Sequence, residues 1–429
     1  MIPAELIEKK RDGIELSFEE IDWFIHNVMI EKIDDCQLSA LLMSIYFNGM
    51  TDSETKFLVD SMVKSGKRFN FNHLERYVAD KHSTGGVGDK ISFIITPLLS
   101  TFDVVVPMIA GRGLAFTGGT IDKLESIKNF QTQKDFASFT KQINKIGCGI
   151  IGQSSEICPA DKKLYSIRDL TGTIPSFPLI CSSIMSKKIA EGLDGLAMDI
   201  KVGNGAFMRT LQEAKSLGMT LKKIGNSFNI NVNITYSNMS QPLGNYAGLR
   251  CEIVEAIDCL KGNGPDDVIQ LSLDLCSNIL VQSGISKNKS KAKNSLLKNI
   301  ENGKAIEKFE KMIIAQSGKL NDIYSKNNFA KNHIIIESQE TGYIKAMNTE
   351  KIGWALVEIG CGRKVMGDFL DHSAGIKYNY KVGDTINKGD PIYELFGFDE
   401  IKLKNAREML VDTFIISEEK VKKEKLIIE

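Results

Sequence analysis

Two glycine-rich segments constrain the fold of this 429-residue chain more strongly than any other feature. The first reads DKHSTGGVGDK over residues 80–90, and the second reads AGRGLAFTGGTIDK over residues 110–123. Each segment follows a short apolar run and precedes a stretch with helical periodicity. This order of strand, turn and helix is typical of an α/β domain with a largely parallel sheet. Ligands of such a domain bind beyond the carboxyl ends of the strands, where both segments lie.

The composition of the two segments indicates an anion site. Glycine lets backbone N–H groups approach an anion closely, and a helix N-terminus adds N–H groups and a favourable dipole. Neither segment has the spacing of a P-loop or of a dinucleotide-binding turn, so the anion is a phosphate but not necessarily a nucleotide. The alternative is a pair of tight turns with a purely structural role. The residues predicted around the phosphate are Lys81, Ser83, Ser92 and Thr120, and His82 beside Lys81 is a further candidate donor to a ligand.

Apolar periodicity predicts the surrounding elements. Capping boxes formed by Ser17 with Glu20 and by Thr51 with Glu54 precede apolar stripes, so residues 1–66 are predicted to be helical. Further helices are predicted over 90–100, 120–127, 159–170, 182–191, 208–225 and, as an exposed stretch rich in Lys and Asn, 265–330. Strands are predicted at 78–79, 104–109, 149–151, 196–202, 334–336, 342–344 and between 382 and 392. Residues 68–77 are interpreted as a polar linker and residues 417–429 as a charged tail.

These elements place the chain in the α/β class and predict three domains. An N-terminal helical domain is combined with a larger mixed, mostly parallel α/β domain and a small α+β C-terminal domain. The predicted boundaries are 1–66 with 159–193 for the helical domain, 78–158 with 194–330 for the α/β domain, and 335–429 for the C-terminal domain.

Composition argues against several function classes. The 54 basic and 54 acidic residues give a formal net charge of zero, so bulk electrostatic binding of nucleic acid or of an anionic membrane is not expected. No run approaches the ~18 apolar residues of a membrane helix, and residues 1–20 lack the apolar segment of a signal peptide. The eight cysteines are scattered and are interpreted as reduced thiols. We therefore expect a cytoplasmic protein.

Two further pairs of polar residues share helix faces. Tyr165 and Arg168 are three positions apart, and Ser183 and Lys187 are four apart. Their hydroxyl, guanidinium and ammonium groups suit the carbonyl oxygens of a flat ligand. The alternative is a solvated helix surface.

Other charged residues carry less information. Asp199 and Lys201 end a predicted buried strand, where they form either a structural ion pair or part of a site. On sequence grounds alone, the following basic groups are predicted to face solvent: Lys187-Lys188, Lys222-Lys223 and the run at 287–298.

Five multi-residue stretches occur in an order that resembles one known family. They are Asp80–Asp89, Gly111–Ile127, PADK at 159–162, Ser182–Lys188 and MDIKVGNGAF at 198–207. Together they are similar to the pyrimidine-nucleoside phosphorylases and thymidine phosphorylases, and the resemblance covers nearly the whole chain. It implies a reversible reaction in which a pyrimidine nucleoside and phosphate give free base and pentose 1-phosphate.

The resemblance also implies residue roles and an assembly. The implied phosphate residues are Lys81, His82, Ser83, Ser92, Thr120 and the position of Ala110. The implied residues around the pyrimidine are Tyr165, Arg168, Ser183 and Lys187, and those implied in catalysis are His82, Arg168 and Lys187. The family is homodimeric through its helical domain, and hinge closure brings the two ligands together. No cofactor is required.

Two residues depart from the family pattern. Ala110 stands where a serine usually donates to phosphate, and losing one such bond costs about 1.5–3 kcal/mol if nothing replaces it. We therefore expect weaker phosphate binding rather than inactivity. Phe116 stands where a histidine is common, which bears on selectivity for sugar and base.

Some bacterial members of the family bind a potassium-like ion. The resemblance places its ligands at Gly88, Lys90, Leu243, Tyr246 and Glu255, mostly through backbone oxygens. A lysine is unexpected beside a cation unless its side chain points away. A potassium ion is accordingly a possible cofactor.

Four functional hypotheses remain open at this stage. The first is a broad pyrimidine-nucleoside phosphorylase, which Ser182–Lys188 favours, and the second is a thymidine-preferring enzyme. The third is a phosphoribosyltransferase of the anthranilate type, which would need acidic magnesium ligands. The fourth is a non-catalytic protein that descends from such an enzyme and binds a nucleoside, and only Ala110 and Phe116 favour it.

Overall fold

A computed structural model describes residues 1–113, 115–324, 330–365 and 367–429. Leu114 of the second glycine-rich segment and residues 325–329 of the predicted helical stretch lie outside the described residues. The helices are α1 (Pro3–Arg11), α2 (Phe18–Met29), α3 (Asp35–Asn48), α4 (Asp52–Lys64), α5 (Ile91–Leu99), α6 (Thr120–Leu124), α7 (Phe136–Ile146), α8 (Pro159–Thr171), α9 (Phe177–Ala190), α10 (Leu211–Ser227), α11 (Arg250–Leu260), α12 (Asp266–Gln282), α13 (Lys289–Glu301), α14 (Lys304–Ala315), α15 (Thr349–Glu358) and α16 (Glu400–Leu410). The strands are β1 (Ala79–Ser83), β2 (Val106–Ala110), β3 (Cys148–Gly152), β4 (Gly195–Val202), β5 (Asn231–Asn238), β6 (Tyr246–Gly248), β7 (Asn332–Glu337), β8 (Gly342–Met347), β9 (Gly375–Tyr378), β10 (Thr385–Ile386), β11 (Pro391–Gly397) and β12 (Phe414–Ser417).

Helices α1 to α4 share an apolar cluster with α8 and the start of α9. Both predicted capping boxes are confirmed, because the side chains of Ser17 and Thr51 accept hydrogen bonds from the backbone N–H groups of Glu20 and Glu54. Leu164 of α8 lies in the same cluster although it is distant in sequence. The helical layer is therefore built from two stretches of the chain, one that precedes β1 in sequence and one that follows β3.

The parallel strands form the centre of the molecule. Strands β1, β4 and β5 pair in parallel in the order β1-β4-β5, and β2 pairs in parallel with β3. A parallel bridge between Val78 and Val105 joins the two groups. The carboxyl ends of β1 and β2 therefore lie side by side, and a glycine-rich segment follows each of them.

Some elements differ from the sequence predictions. Strand β5 and helix α11 were not predicted, although both lie in the part of the chain assigned to the α/β domain. The predicted exposure of 265–330 is wrong for α12, where residues such as Leu275 and Ile279 are fully buried. The Lys- and Asn-rich composition belongs mainly to α13. Phe69 and Phe71 of the predicted polar linker are also buried, because they pack into the core beside the sheet.

The C-terminal part contains two antiparallel sheets. One has the strand order β6-β9-β11-β7, and the other has the order β10-β8-β12. Their apolar faces share a cluster with α15 and α16. Strand β6 comes from the middle of the chain, so residues 246–248 tie the connection after β5 to the C-terminal sheet.

The predicted charged tail does not extend freely from the molecule. Its last residues lie antiparallel to β5, with an isolated bridge between Ser237 and Ile427. The backbone N–H of Asn238 donates to the Leu426 carbonyl at 2.8 Å, and the N–H of Ile428 donates to the Tyr236 carbonyl at 2.8 Å. The apolar run Leu426–Ile428 thus covers the edge of the parallel sheet.

Two general properties follow from the described residues. None of the helices within them has the length and apolar character needed to cross a membrane. All eight cysteines are free thiols, and six of them are buried.

Deletion of residues 426–429 tests the role of the tail. The deletion leaves backbone donors of β5 without partners and removes apolar contacts, and each lost hydrogen bond costs about 0.5–1.5 kcal/mol. We expect the melting temperature to fall by a few degrees in differential scanning fluorimetry. Lys425→Ala, a change at an exposed tail residue, is the matched control. Equal melting temperatures for the deletion and the control would contradict the prediction.

Candidate active site

A cavity of about 450 Å³ lies between the carboxyl ends of β1 and β2 and helices α8 and α9. A cavity of this size suits a small ligand. All ten residues predicted for the phosphate and the pyrimidine line it: Lys81, His82, Ser83, Ser92, Ala110, Thr120, Tyr165, Arg168, Ser183 and Lys187. The residues predicted for the phosphate and those predicted for the pyrimidine are separate in sequence, but they line the same cavity.

The first glycine-rich segment turns sharply from β1 into α5. Gly85 and Gly88 have φ angles of +91° and +78°, in the left-handed region that favours glycine. A Cβ atom at Gly88 would lie 2.3 Å from the carbonyl oxygen of Leu243, so a larger residue would collide with the backbone. This tight turn brings Ser83, at the end of β1, and Ser92, in the first turn of α5, to the same cavity.

The second glycine-rich segment is closed by a carboxylate. Asp122 of α6 accepts hydrogen bonds from the backbone N–H of Gly113 at 2.7 Å and from Arg112 Nη1 at 2.8 Å. A Cβ atom at Gly119 would lie 2.0 Å from the backbone nitrogen of Gly113, so the two arms of the turn touch only because glycine is present. Thr120, the first residue of α6, consequently reaches the cavity.

Lys81 lies near charged residues of neighbouring segments. Its ammonium group lies 3.5 Å from the carboxylate of Asp89. Asp199 and Lys201 of β4 form a fully buried ion pair at 2.6 Å, and the hydroxyl of Ser237 donates to Asp199. Asp199 lies opposite Ser83 in the parallel register, and neither Asp199 nor Lys201 is in the cavity lining, which favours the structural interpretation of this pair.

The pKa values of both Lys81 and Asp89 are lowered in the folded protein. Burial lowers the pKa of Lys81, and the neighbouring carboxylates of Asp89 and Asp199 oppose that shift. Burial would raise the pKa of Asp89, but the positive charges of Lys81 and Lys201 outweigh it and hold that pKa far below its usual range. Asp89 is therefore ionised at neutral pH and anchors the lysine at the strand end.

His82 faces the cavity in a positively charged environment. Burial, followed by the positive charges of Lys188, Lys187 and Lys81, lowers the pKa of His82 well below its ordinary value, and Asp89 only partly opposes this. The imidazole is therefore neutral at pH 7, with one nitrogen as donor and the other as acceptor. His82 can hydrogen-bond to a ligand without adding charge.

Lys188 is fully buried, which corrects the prediction that Lys187-Lys188 faces solvent. Its ammonium group donates to Asp80 at 2.5 Å, to Glu191 at 2.6 Å and to the carbonyl of Ile109 at 3.1 Å. Burial raises the pKa of Glu191 well above its ordinary value, and Asp80 adds to the shift against the effect of Lys188. The prediction failed because α9 is enclosed on nearly all sides, so that its second lysine ties β1 and β2 to the helix.

Lys187 is positioned by a residue that the sequence predictions missed. Its ammonium group donates to Asp161 at 2.7 Å and to Ser183 at 2.9 Å. Asp161 of α8 is buried and also accepts from the side-chain amide of Gln153 at 3.1 Å. The PADK motif contains Asp161, but only the packing of α8 against α9 reveals its partner. These contacts use two of the three ammonium donors of Lys187.

Arg168 has a structural role in addition to lining the cavity. Its guanidinium donates to the carbonyls of Ile174 at 2.7 Å, Leu179 at 3.0 Å and Thr173 at 3.5 Å. It also lies over the ring of Tyr165, 5.6 Å from its centroid. These hydrogen bonds use three of its five donors and fix the connection between α8 and α9.

The two departures from the family pattern have different surroundings. Ala110, at the end of β2, does line the cavity. Phe116 is buried and packs against Phe207 at 5.8 Å and Trp354 at 6.1 Å between ring centroids. Of these rings, Phe207 is the one in the cavity lining. Phe116 therefore contacts the cavity lining through Phe207, a lining residue that the sequence predictions missed.

The predicted potassium ligands come together around a lysine. Lys90 Nζ donates to the carbonyls of Leu243 at 3.0 Å and Tyr246 at 2.8 Å and to the carboxylate of Glu255 at 2.5 Å. Gly88 lies against the same Leu243 oxygen. The side chain of Lys90 does not point away, and because its ammonium group already binds these oxygens, their arrangement here does not fit a potassium ion. Within the described ranges, no group of three or more His, Cys, Asp or Glu residues is placed to hold a metal.

Comparison with protein families divides the chain into three matching parts. Residues 4–66 match the helical bundle domain of a glycosyl transferase family, and residues 75–306 match the a/b domain of the same family. Residues 343–417 match a pyrimidine nucleoside phosphorylase C-terminal domain.

The chain is also similar to curated bacterial proteins over most of their length. It is 43% identical over 390 residues to a pyrimidine-nucleoside phosphorylase of Staphylococcus epidermidis, with 90% of each chain covered. It is 43% identical over 391 residues to the protein of that name from Staphylococcus haemolyticus, covering 91% of this chain and 90% of the relative. Among solved structures, the anthranilate phosphoribosyltransferase of Thermus thermophilus superimposes with a TM-score of 0.58 at 13% identity. That match covers 73% of this chain and 99% of the other, and it supports the fold alone.

The neutral state of His82 is testable by its effect on stability. Because folding lowers the pKa of His82, the unfolded chain takes up the proton first as pH falls. The free energy of unfolding should then decrease below about pH 6.5 by up to ~1.4 kcal/mol per pH unit. In phosphate-free buffer, we expect the urea midpoint of the wild type to fall more steeply toward about pH 5 than that of His82→Gln. Parallel pH profiles of the two proteins would contradict a lowered pKa.

Proposed function

The chain belongs to the pyrimidine-nucleoside phosphorylase family of pentosyltransferases, and from that membership we propose the reaction that it catalyses. The proposed reaction is the reversible phosphorolysis of uridine, deoxyuridine and thymidine to free base and ribose or deoxyribose 1-phosphate. One observation carries this proposal: donors suited to phosphate and donors suited to a pyrimidine line opposite parts of the same cavity.

Phosphate binds at the carboxyl ends of β1 and β2 in this proposal. The N-termini of α5 and α6 supply backbone N–H groups and a favourable dipole. Lys81 supplies a charge, and the hydroxyls of Ser83, Ser92 and Thr120 supply directional donors. Since Asp89 partly offsets the charge of Lys81, the hydroxyls and the backbone N–H groups carry a large share of the binding.

The pyrimidine binds between α8 and α9. The donors of Arg168 and Lys187 that remain after their internal hydrogen bonds are directed to the carbonyl oxygens of the ring. Asp161 and Ser183 hold the Lys187 ammonium in place, and Tyr165 lies beneath the guanidinium. When the glycosidic bond breaks, negative charge develops on the pyrimidine, and these two cations stabilise it.

The step balances with phosphate and nucleoside alone. A phosphate oxygen forms a bond to C1′ of the pentose while the bond from C1′ to the ring nitrogen breaks. The electron pair of that bond leaves with the pyrimidine, so the sugar becomes oxocarbenium-like between two anions. The departing ring nitrogen takes up a proton equivalent to the one that hydrogenphosphate loses on becoming the sugar phosphate, which gives the free base. Neutral His82 lies beside both ligands and hydrogen-bonds without repelling the cationic sugar. Catalysis then depends on positioning, on electrostatics and on closure of the α/β domain toward the helical domain.

We further propose that the enzyme is a cytoplasmic homodimer joined through its helical domain. Large apolar side chains of that region, including Phe47, Leu170 and Phe177, are exposed in the single chain. A partner surface would remove this apolar area from water. The balanced net charge agrees with small-molecule substrates rather than nucleic acid or membrane as partners.

Phosphorolysis followed by ultraviolet absorbance tests the proposed reaction. Uridine, deoxyuridine and thymidine are each incubated with and without phosphate, with Lys81→Ala as the defective variant and Lys222→Ala as the surface control. We expect phosphate-dependent release of base from all three nucleosides by the wild type and by the control. Release from deoxyuridine and thymidine alone would replace broad specificity with thymidine preference. No release at saturating phosphate would overturn the enzymatic proposal.

Ala110→Ser tests the phosphate side of the cavity. A hydroxyl at this position would add a hydrogen bond to a charged ligand, which is worth about 1.5–3 kcal/mol. We expect the KM for phosphate to fall by about tenfold or more, while the KM for the nucleoside changes little. Ala137→Ser, on the exposed side of α7, is the matched control. An unchanged KM for phosphate would show that the serine position is not a phosphate contact in this chain.

A further inference from the structure

Lys90 occupies a site built entirely of oxygen acceptors. Its ammonium group donates three hydrogen bonds, to the carbonyls of Leu243 and Tyr246 and to the carboxylate of Glu255, at 2.5–3.0 Å. An ammonium group has three N–H donors, so all of them are used. We call the carbonyls of Leu243 and Tyr246 and the carboxylate of Glu255 the cradle. A Cβ atom at Gly244 would lie 2.6 Å from Lys90 Nζ and 2.4 Å from Glu255, so the backbone of Gly244 packs directly against the ammonium and the carboxylate.

The charge in this cradle is buried and compensated. The side chain of Lys90 is 0% exposed and that of Glu255 is 5% exposed. Glu255 also accepts a hydrogen bond from the backbone N–H of Asn245 at 2.8 Å. Burial alone would lower the pKa of Lys90, but Glu255 and Glu252 outweigh it and raise that pKa above its ordinary value. The group is therefore a permanent cation in the folded protein.

The cradle joins the phosphate turn to the C-terminal sheet. Lys90 directly follows Asp89, which pairs with Lys81, and it is the N-cap residue of α5, the helix that carries Ser92. On the other side, residues 242–246 lead into β6, which pairs with β9. Lys381 holds the same segment by donating to the carbonyls of Pro242 and Gly244. The position of the phosphate turn thus depends on a cation between two segments.

We propose that Lys90 is a tethered substitute for a bound monovalent cation, so that this chain orders its phosphate turn without potassium. This inference rests on the proposed function only in taking phosphate as the ligand of the turn. The assignment of the Lys90 ammonium as the cation does not depend on it. Lys90 is a positioning residue in this proposal, because it acts on phosphate through the turn that carries Ser83 and Ser92. A compact ammonium point charge satisfies the same carbonyl and carboxylate oxygens as a free ion. Covalent attachment also removes the need to recruit one from solution.

Exchange of the lysine for a small hydroxyl residue tests the proposal. Lys90→Thr removes the ammonium and leaves the two carbonyls, the Glu255 carboxylate and a new hydroxyl around the vacated space. Lys90→Met removes the charge and fills the space without adding an oxygen, and Lys222→Ala is the surface control. Melting temperatures are measured in potassium, lithium and N-methylglucamine chloride at constant ionic strength. Phosphate affinity is measured by calorimetry in the same salts, so neither readout depends on turnover.

The expected results separate a tethered cation from a merely structural lysine. The wild type and Lys222→Ala should melt at the same temperature in all three salts. Lys90→Thr should lose several degrees in N-methylglucamine, because its carboxylate is left buried without a partner, and potassium should restore both stability and phosphate affinity. Lys90→Met should lose stability without rescue by any of these cations.

Two results would overturn the proposal. The first is a specific rise in the melting temperature of the wild type with potassium, which would show a cation site apart from Lys90. This arm needs no variant and remains informative if Lys90→Thr does not fold. The second is a folded Lys90→Thr protein that potassium fails to rescue. If the melting temperatures and phosphate affinities are as expected but the wild type shows no phosphorolysis, only the proposed function is contradicted.

Discussion

Buried lysine–carboxylate contacts around the parallel strands position the rest of this site. Lys188 joins β1, β2 and α9, Asp199 and Lys201 pair on β4 next to the strand that carries Lys81, and Lys123 of α6 lies 2.6 Å from Glu252 of α11. Removing one partner of such a pair costs about 3–5 kcal/mol, because the other charge is left buried and unpaired. Such pairs need not stabilise the fold more than apolar residues would, but their charges are satisfied in one arrangement of strands and helices.

The same charges determine the protonation states in the cavity. Three lysines and burial keep His82 neutral, while Lys81 and Lys201 keep Asp89 ionised. The phosphate side therefore presents mainly hydrogen-bond donors and a partly compensated charge. The helical side presents Arg168 and Lys187, each with some donors already used internally. This division of charge suits a reaction in which an anion attacks a sugar and a second anion departs.

The residues that contact the cavity were largely predictable because their chemistry is local. A glycine that must turn sharply, a helix N-terminus and a hydroxyl in the first turn are adjacent in sequence, as in the segment from Ser83 to Ser92. The spacing of Ser183 and Lys187 on one helix likewise indicated their contact, and the structure shows it at 2.9 Å. Family resemblance added the assignment of ligands that local chemistry alone left open.

The mistaken predictions all concern residues whose partners are distant in sequence. Lys188 was placed in solvent because the enclosure of α9 depends on other elements. The tail was interpreted only as a charged segment, because its apolar run Leu426–Ile428 gains a role only against the edge of β5. Lys90 was considered an obstacle to a cation site, although its own ammonium is the cation there.

The sequence by itself determined the fold class, the two glycine turns and the chemical types of the residues around the ligands. These features depend on backbone stereochemistry and on side chains only a few positions apart. Only the tertiary structure decided which charges are buried, which carboxylate pairs with which lysine, and whether Phe116 or Phe207 faces the cavity. The physical reason is that burial and ion pairing depend on distances between segments far apart along the chain, which are set when the helices and strands pack together.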